Sequence, residues 1–373
     1  MKKIKITLLA LLLSTAPMIG QENVTYQKPS QEILQLAEYD RAPSVSMTSD
    51  KQWMVLSYRD TYKSLQDLNQ DELRLGGLRI NPNTNISSTT TFINTLKVKK
   101  VTDANETLVK GLPENARISN MTWSPDESKI AFTHTNQTGN ELWILDLKTA
   151  VATRLTDAVL NANLGNPITW YKDGKKLLIK VIPANKPALI NAQKAIPTGP
   201  IVSESEAGIV SQNRTYQDLL KNKTDEANFE ALVTSELYTI DLNGTKKLFK
   251  EAAMYSGEVF SPDGNYLLLT TIQKPFSYLV PLNRFPMKTV AYDKNGNEIK
   301  VVNEVALNEV MPKGFMAVRT GKRSMSWRAD QPATLFFVEA LDGGDPANKV
   351  DYRDALYTWE APFDNAPELL TKT

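Results

Sequence analysis

Phe260-Ser261-Pro262-Asp263-Gly264-Asn265-Tyr266-Leu267-Leu268-Leu269 sets an aromatic residue, a tight turn and an apolar run in immediate succession. Pro fixes φ at the first corner of such a turn, Asp caps it with its side chain, and Gly accepts positive φ at its end. The same order recurs at Trp123-Ser124-Pro125-Asp126 before Ile130-Ala131-Phe132, at Trp170-Tyr171-Lys172-Asp173-Gly174 before Leu177-Leu178-Ile179, and at Trp327-Arg328-Ala329-Asp330 before Leu335-Phe336-Phe337-Val338. A looser copy is Met47-Thr48-Ser49-Asp50, leading to Trp53-Met54-Val55-Leu56. A second strand pair follows the turn: Glu141 to Leu147 with Thr153 to Thr156, Glu236 to Leu242 with Lys246 to Phe249, and Ala355 to Trp359 with Glu368 to Leu370. Four strands joined by three turns make one propeller blade. The chain therefore reads as all-β, a β-propeller of four-stranded antiparallel blades. About five blades are visible. An incomplete larger ring is favoured over a closed one, because the last blade stops at Thr373 and only closure removes sheet edges.

The aromatic anchors stand 47, 90 and 67 residues apart (123 to 170, 170 to 260, 260 to 327), and one blade takes about 45 residues. The excess in the second interval is an insertion over 184–234, carrying Pro187, Pro197, Gly199 and Pro200 and then the amphipathic run Tyr216-Gln217-Asp218-Leu219-Leu220. A short helix is expected within it, and insertions of this kind are functional loops or disordered segments. At the start, Lys2, Lys3 and Lys5 precede the apolar stretch Ile6 to Leu13 and a small residue at Gly20. This reads as a secretory signal peptide over 1–20, followed by an N-terminal segment over 21–41 and the propeller over 42–373. No cysteine follows the cleavage point, which excludes a lipid anchor, and no later apolar window spans a bilayer. The mature chain is expected to be periplasmic or secreted.

Of 373 residues 41% are hydrophobic and 23% charged, with 43 Lys and Arg against 42 Asp and Glu, so a large core is available and no basic footprint marks nucleic acid or anionic membrane as a partner. There is no cysteine and one histidine, which excludes disulfides, Cys-ligated zinc, iron–sulfur clusters, cysteine nucleophiles and multi-His metal sites. No metal or cofactor is expected. A Ser-His-Asp triad would have to use His134, which sits in the alternating strand run Ala131 to Thr135, and no Gly-x-Ser-x-Gly elbow occurs. Asp126, Asp173, Asp263 and Asp330 read as turn caps rather than a carboxylate cluster. Asp342 and Asp345 around Gly343-Gly344 read as a hairpin turn more readily than as a calcium loop, and Asp293-Lys294-Asn295-Gly296-Asn297-Glu298 reads as an Asn-Gly turn. Arg319, Lys322, Arg323 and Arg328 cluster around the first strand of the last copy. A guanidinium holds a carboxylate in a fork, so Arg319, Arg323 and Arg328 are the candidates for substrate contact, set against the plainer reading of a solvated blade face.

Three runs lie outside the repeat: Leu73-Arg74-Leu75-Gly76-Gly77-Leu78-Arg79-Ile80-Asn81-Pro82, Arg214-Thr215-Tyr216-Gln217-Asp218-Leu219-Leu220-Lys221-Asn222, and Val338-Glu339-Ala340-Leu341-Asp342-Gly343-Gly344-Asp345 with Tyr352-Arg353-Asp354. Together with Trp327 to Asp330 they resemble the propeller half of prolyl-oligopeptidase-type (S9) serine peptidases, within that family the glutamyl-endopeptidase-like branch. The resemblance implies an N-terminal propeller that limits access to a following α/β-hydrolase domain and supplies some substrate contacts. The hydrolase domain is absent from this chain, so no residue here corresponds to the catalytic Ser, Asp or His. A peptide substrate and a preference for acidic residues at the cleaved position follow from the resemblance alone. The reading from a different class is a stand-alone periplasmic binding propeller like that of TolB, which would share the blade turns but not the three runs. An open ring leaves unpaired edges, so the chain by itself is expected to aggregate or oligomerise.

Overall fold

A computed structural model describes residues 28–191 and 215–373; the signal-peptide reading and residues 192–214 of the insertion lie outside them. The chain divides into Met1–Arg41 and Ala42–Thr373. In the first unit helix α1 (Gln31–Ala37) buries no residue.

The second unit holds five four-stranded antiparallel sheets and one three-stranded sheet. The first blade is β1 (Ser44–Met47), β2 (Trp53–Tyr58), β6 (Thr95–Lys100) and β7 (Thr107–Leu108), with the single helical turn α2 (Leu65–Leu68), β3 (Leu73–Leu75), β4 (Leu78–Asn81) and β5 (Ile86–Ser87) inserted between its second and third strands. The second is β8 (Ile118–Trp123), β9 (Lys129–Thr135), β10 (Asn140–Asp146) and β11 (Val151–Arg154); the third is β12 (Ile168–Trp170), β13 (Lys176–Val181), β14 (Ser235–Asp241) and β15 (Lys246–Ala253). The fourth runs β16 (Tyr255–Phe260), β17 (Tyr266–Ile272), β18 (Met287–Asp293) and β19 (Glu298–Val305), and the fifth β20 (Arg323–Trp327), β21 (Thr334–Ala340), β22 (Asp354–Glu360) and β23 (Glu368–Lys372). Each sheet is a meander in chain order, which is the β-propeller blade expected from the repeat.

Side-chain alternation builds the contacts between blades. On β9 and β10, Phe132, Trp143 and Leu145 pack with Val55, Leu96 and Val98 of the first blade, while Ala131, Leu142 and Ile144 pack with Ile168, Leu177 and Ile179 of the third. Two further cores join the third blade to the fourth, around Leu178, Leu237, Phe260 and Leu267, and the fourth to the fifth, around Leu268, Val302, Trp327 and Phe337. None of the described cores joins the fifth blade to the first.

The aromatic anchors act across the same interfaces. The Trp123 indole donates to Ser46 Oγ (3.1 Å), that of Trp170 to the Thr122 carbonyl (3.1 Å) and that of Trp327 to the Val259 carbonyl (3.0 Å), in each case on the first strand of the preceding blade. Phe260 has no donor and instead packs at a tilt of 47° against Tyr171, ring centroids 4.4 Å apart. The turn aspartates are consumed locally. Asp126 accepts from the Ser124 and Ser128 hydroxyls, Asp263 from Ser261 and Asn265, and Asp173 from the Lys175 amide, so they are caps and form no cluster.

Antiparallel meanders place alternate connections at opposite ends of the blades. One end carries the Ser-Pro-Asp-Gly turns and other short links. The opposite end carries every long connection: 59–94, 155–167, 182–234, 273–286, 306–322 and 341–353. Four of these share a core of their own, with Leu75 and Ile80 from β3 and β4, Leu164 from the link between β11 and β12, Phe229, Leu232 and Val233 from α3 (Lys223–Val233), and Val280 and Phe285 from the link between β17 and β18. This is the short helix expected within 184–234, and it begins seven residues after Tyr216, the start of the amphipathic run. Tyr216 to Leu220 is non-helical: Asp218 has φ +58°, its carbonyl accepts from the Gly77 amide (2.8 Å) and its carboxylate from Arg79 Nε (2.7 Å). Asn222 then caps the helix by accepting from the Asp225 amide (2.9 Å).

Candidate functional site

Between the fourth and fifth blades, at the end bearing the long connections, the 306–322 link encloses a cleft of about 390 Å³. Val305, Leu307, Val310 and Val318 supply apolar walls, and Arg319, Gly343 and Glu304 reach its surface. The volume is that of a site for one small group rather than a folded partner.

The wall that holds Arg319 is fixed by the 341–353 connection. Asp342 is buried and accepts from the Gly344 amide (2.8 Å) and from Arg353 Nε (2.8 Å), which makes this loop a turn rather than an ion site. The Val318 amide donates to the Gly344 carbonyl (3.1 Å). Gly344 has φ +78°, and a Cβ there would stand 2.1 Å from the Val318 carbonyl oxygen, so only glycine allows this approach.

The three arginines singled out in the sequence fare differently. Arg328 forks onto Asp330 within its own turn (3.0 and 2.6 Å) and stands apart from the cleft lining. Arg323 is ion-paired with Asp354 of β22, beside its own strand's neighbour β21. Arg319 donates to the carbonyls of Thr320 (3.1 Å) and Lys322, and among the described residues no carboxylate pairs with it. Burial, and after it the charge of Arg323, lowers the Arg319 pKa from its ordinary value; a guanidinium starts so high that it stays charged. Lys322 donates to the Val302 carbonyl (3.0 Å) and lies over the Trp359 ring, 4.3 Å from its centroid. Glu304, at the rim, is 3.9 Å from Lys288.

His134 is buried in β9 opposite Glu141 of β10. Its Nδ1 is 3.1 Å from Glu141 Oε2, and its Nε2 has no hydrogen-bond partner. The carboxylate also accepts from Trp143 Nε1 (2.8 Å), Asn136 Nδ2 (3.1 Å) and Arg154 Nη1 (3.2 Å). Burial pushes the Glu141 pKa up, and the bonds from Trp143, His134 and Arg154 outweigh it, leaving the net shift downward. Among the described residues no serine is hydrogen-bonded to this imidazole. Among the described residues no group of three His, Asp or Glu could hold a metal ion, and no helix is long and apolar enough to cross a membrane.

Two features of this end escaped the sequence. The β3 to β5 sheet was visible only as a run outside the repeat, and the cleft depends on contacts between connections far apart in the chain.

No family profile matches the chain. It is 34% identical over 93% of its length to a protein of Oryza sativa subsp. japonica named "Probable glutamyl endopeptidase, chloroplastic", and 32% identical, again over 93%, to the protein of that name in Arabidopsis thaliana. The matches cover 38% and 37% of those proteins, so the chain spans well under half the length of the curated relatives. Among solved structures it is similar to acylaminoacyl peptidase of Pyrococcus horikoshii (13% identity, 87% of this chain and 39% of that one, TM-score 0.42) and to TolB of Acinetobacter baumannii (14% identity, 88% and 68%, TM-score 0.35).

Proposed function

Because this chain is a relative of the glutamyl-endopeptidase branch of S9-type peptidases along nearly its whole length, we propose that it is the propeller portion of a serine peptidase, placed before a catalytic domain and filtering the peptides that reach it. The observation that carries this reading is the asymmetry of the two ends. Every long connection emerges at one end, and those connections leave Leu65, Leu68, Leu279, Phe315, Met316 and Tyr352 exposed, Phe315 at 96%. Apolar surface gathered on one face marks a docking surface, and here it suits a second domain. The chain's only imidazole is committed to Glu141, so the acyl-transfer chemistry would come from residues outside this chain.

In this reading the serine of the neighbouring domain takes the peptide's acyl group as the amine half leaves, and water then hydrolyses the acyl–serine ester, while the propeller excludes folded chains and presents extended ones. The basic start and short apolar stretch of residues 1–20 support export to the periplasm or the medium. The test is the size of the native product together with labelling by a serine-reactive fluorophosphonate. A labelled species heavier than this chain by one domain, about 250 residues, is expected. An unlabelled product no longer than this chain would replace the peptidase reading with that of a binding propeller.

A further inference from the structure

We propose that the 59–94 connection and the entry to β8 form a binding site for a compact tetrahedral oxyanion, a phosphate group either free or as a monoester. The site is independent of any catalytic domain. A narrow polar cleft opens there, lined by Lys63, Asp67, Thr84, Ser87 and Thr90 from the connection and by Arg117 just before β8. Its enclosed part measures about 10 Å³, room for one water-sized group. A ligand therefore reaches in with a single oxygen and keeps its remainder at the mouth, which excludes a peptide from the interior.

Thr84 carries the inference. It is 8% exposed and its Oγ1 has no hydrogen-bond partner, although a buried hydroxyl normally finds one. Its backbone is held from both sides, since the amide donates to Asn81 Oδ1 (3.2 Å) and the carbonyl accepts from Asn140 Nδ2 (2.7 Å). Two cations share the cleft. Lys63 Nζ donates to the Ser88 carbonyl (3.1 Å), a partner that positions the ammonium without neutralising it and leaves N–H groups for a ligand. Arg117 lies over the Phe92 ring, 4.1 Å from its centroid, and gives Asp67 Oδ1 one bond (2.5 Å). Asp67 is the only acid among the liners, and it is already committed: Arg117 takes one oxygen, and the Ser64 hydroxyl (2.8 Å) and amide (3.2 Å) take the other. Lys63 thus leaves the cleft with an excess of positive charge. A carboxylate presents two oxygens in one plane, suited to a single fork, whereas a phosphate has an oxygen for the floor hydroxyl, the ammonium and the guanidinium together. A trapped water on Thr84 beside solvated cations would need no phosphate, and the test separates the two roles.

The protein at its natural length, in a chloride buffer free of other oxyanions, is titrated by calorimetry with inorganic phosphate, glycerol 3-phosphate and acetate at matched ionic strength. The two phosphates should bind and acetate should not; whichever phosphate binds more tightly identifies the free ion or the monoester as the ligand. Because the ligand joins the inserted connection to the second blade, phosphate should raise the melting temperature above that in chloride of equal ionic strength. Thr84→Val keeps the side-chain shape and removes a hydroxyl that has no partner in the unliganded protein, so it should not lower the melting temperature without phosphate, while phosphate binding weakens about tenfold. Lys63→Gln should weaken binding at least as much and reduce its salt dependence. Lys175→Gln, in a turn at the opposite end, should leave it unchanged. Acetate binding as tightly as phosphate, no binding of either phosphate, or full affinity in both Thr84→Val and Lys63→Gln would overturn the site. A phosphate-dependent rise in melting temperature that persists undiminished in both variants would be a general salt effect and would overturn it too.

Discussion

Glu141 and Glu258 are both buried carboxylates, and their surroundings push them in opposite directions. Four donors converge on Glu141, and its pKa is held down against burial. A group with a lowered folded value adds stability that is full above its unfolded pKa and is lost as pH falls through the folded one. Glu141→Gln should therefore cost about 1.5–3 kcal/mol at neutral pH and flatten the acid limb of a melting-temperature profile; an unchanged acid limb would show that another carboxylate governs it. Glu258, on β16, faces Lys180 of the third blade (3.4 Å), with side chains 7% and 3% exposed, and its second oxygen has no partner. Burial raises its pKa and Lys180 only partly restores it, so its contribution is present below the ordinary carboxylate range and is lost as pH rises through the folded value. Lys180 also donates to the Leu164 carbonyl (2.6 Å). Lys180→Met alone should cost about 3–5 kcal/mol by leaving Glu258 unpaired, and Lys180→Met with Glu258→Leu should recover most of that loss. Denaturant melts of the single and double variants check this, and additive losses would mean the two side chains are not coupled. Neither role could be read from the sequence, because the partners sit on different strands or different blades. The turn aspartates were legible because their acceptors satisfy groups two residues away.

Blades were visible in the chain for the same reason. A hairpin is a local structure, and its turn residues and alternation are written next to each other. The side core formed by β3, β4 and α3 had no such signature, since it joins connections from three blades and each contributes only a few apolar residues. The short helix expected within 184–234 does form, at Lys223–Val233, while Tyr216 to Leu220 just before it is held in a non-helical path by the contacts of Gly77 and Arg79 with Asp218. Phe229 is fully buried at the centre of this core, edge-on to Phe276 and Phe285. Phe229→Ala should cost about 3–5 kcal/mol through the cavity it leaves. Hydrogen exchange should then quicken in Leu73–Leu75 and Leu78–Asn81 as well as in the helix, while β8 to β10 keep their protection. Exchange that quickened only within the helix would show that the inserted sheet stands without it.

The fifth blade and the first each turn one face toward a neighbouring blade and leave the other without one among the described cores. On β1, Ser46 meets Trp123, so by alternation Val45 and Met47 point away, 55% and 49% exposed. On the fifth blade Leu335 and Phe337 face the fourth, while Phe336, Val338 and Leu356 lie on the opposite side and remain half-buried. Apolar faces of this kind, bordered by free backbone groups, favour association between copies. The end surface around Phe315 is apolar too, but it consists of irregular connections that offer no strand edge to extend. The chain by itself should therefore sediment as a mixture of oligomers that Val45→Lys with Met47→Lys shifts toward monomer, and Phe315→Ser should change little. A monodisperse wild-type monomer with one sharp melting transition would mean that the uncovered faces are satisfied within a single chain, and the open-ring reading of these five blades would fall.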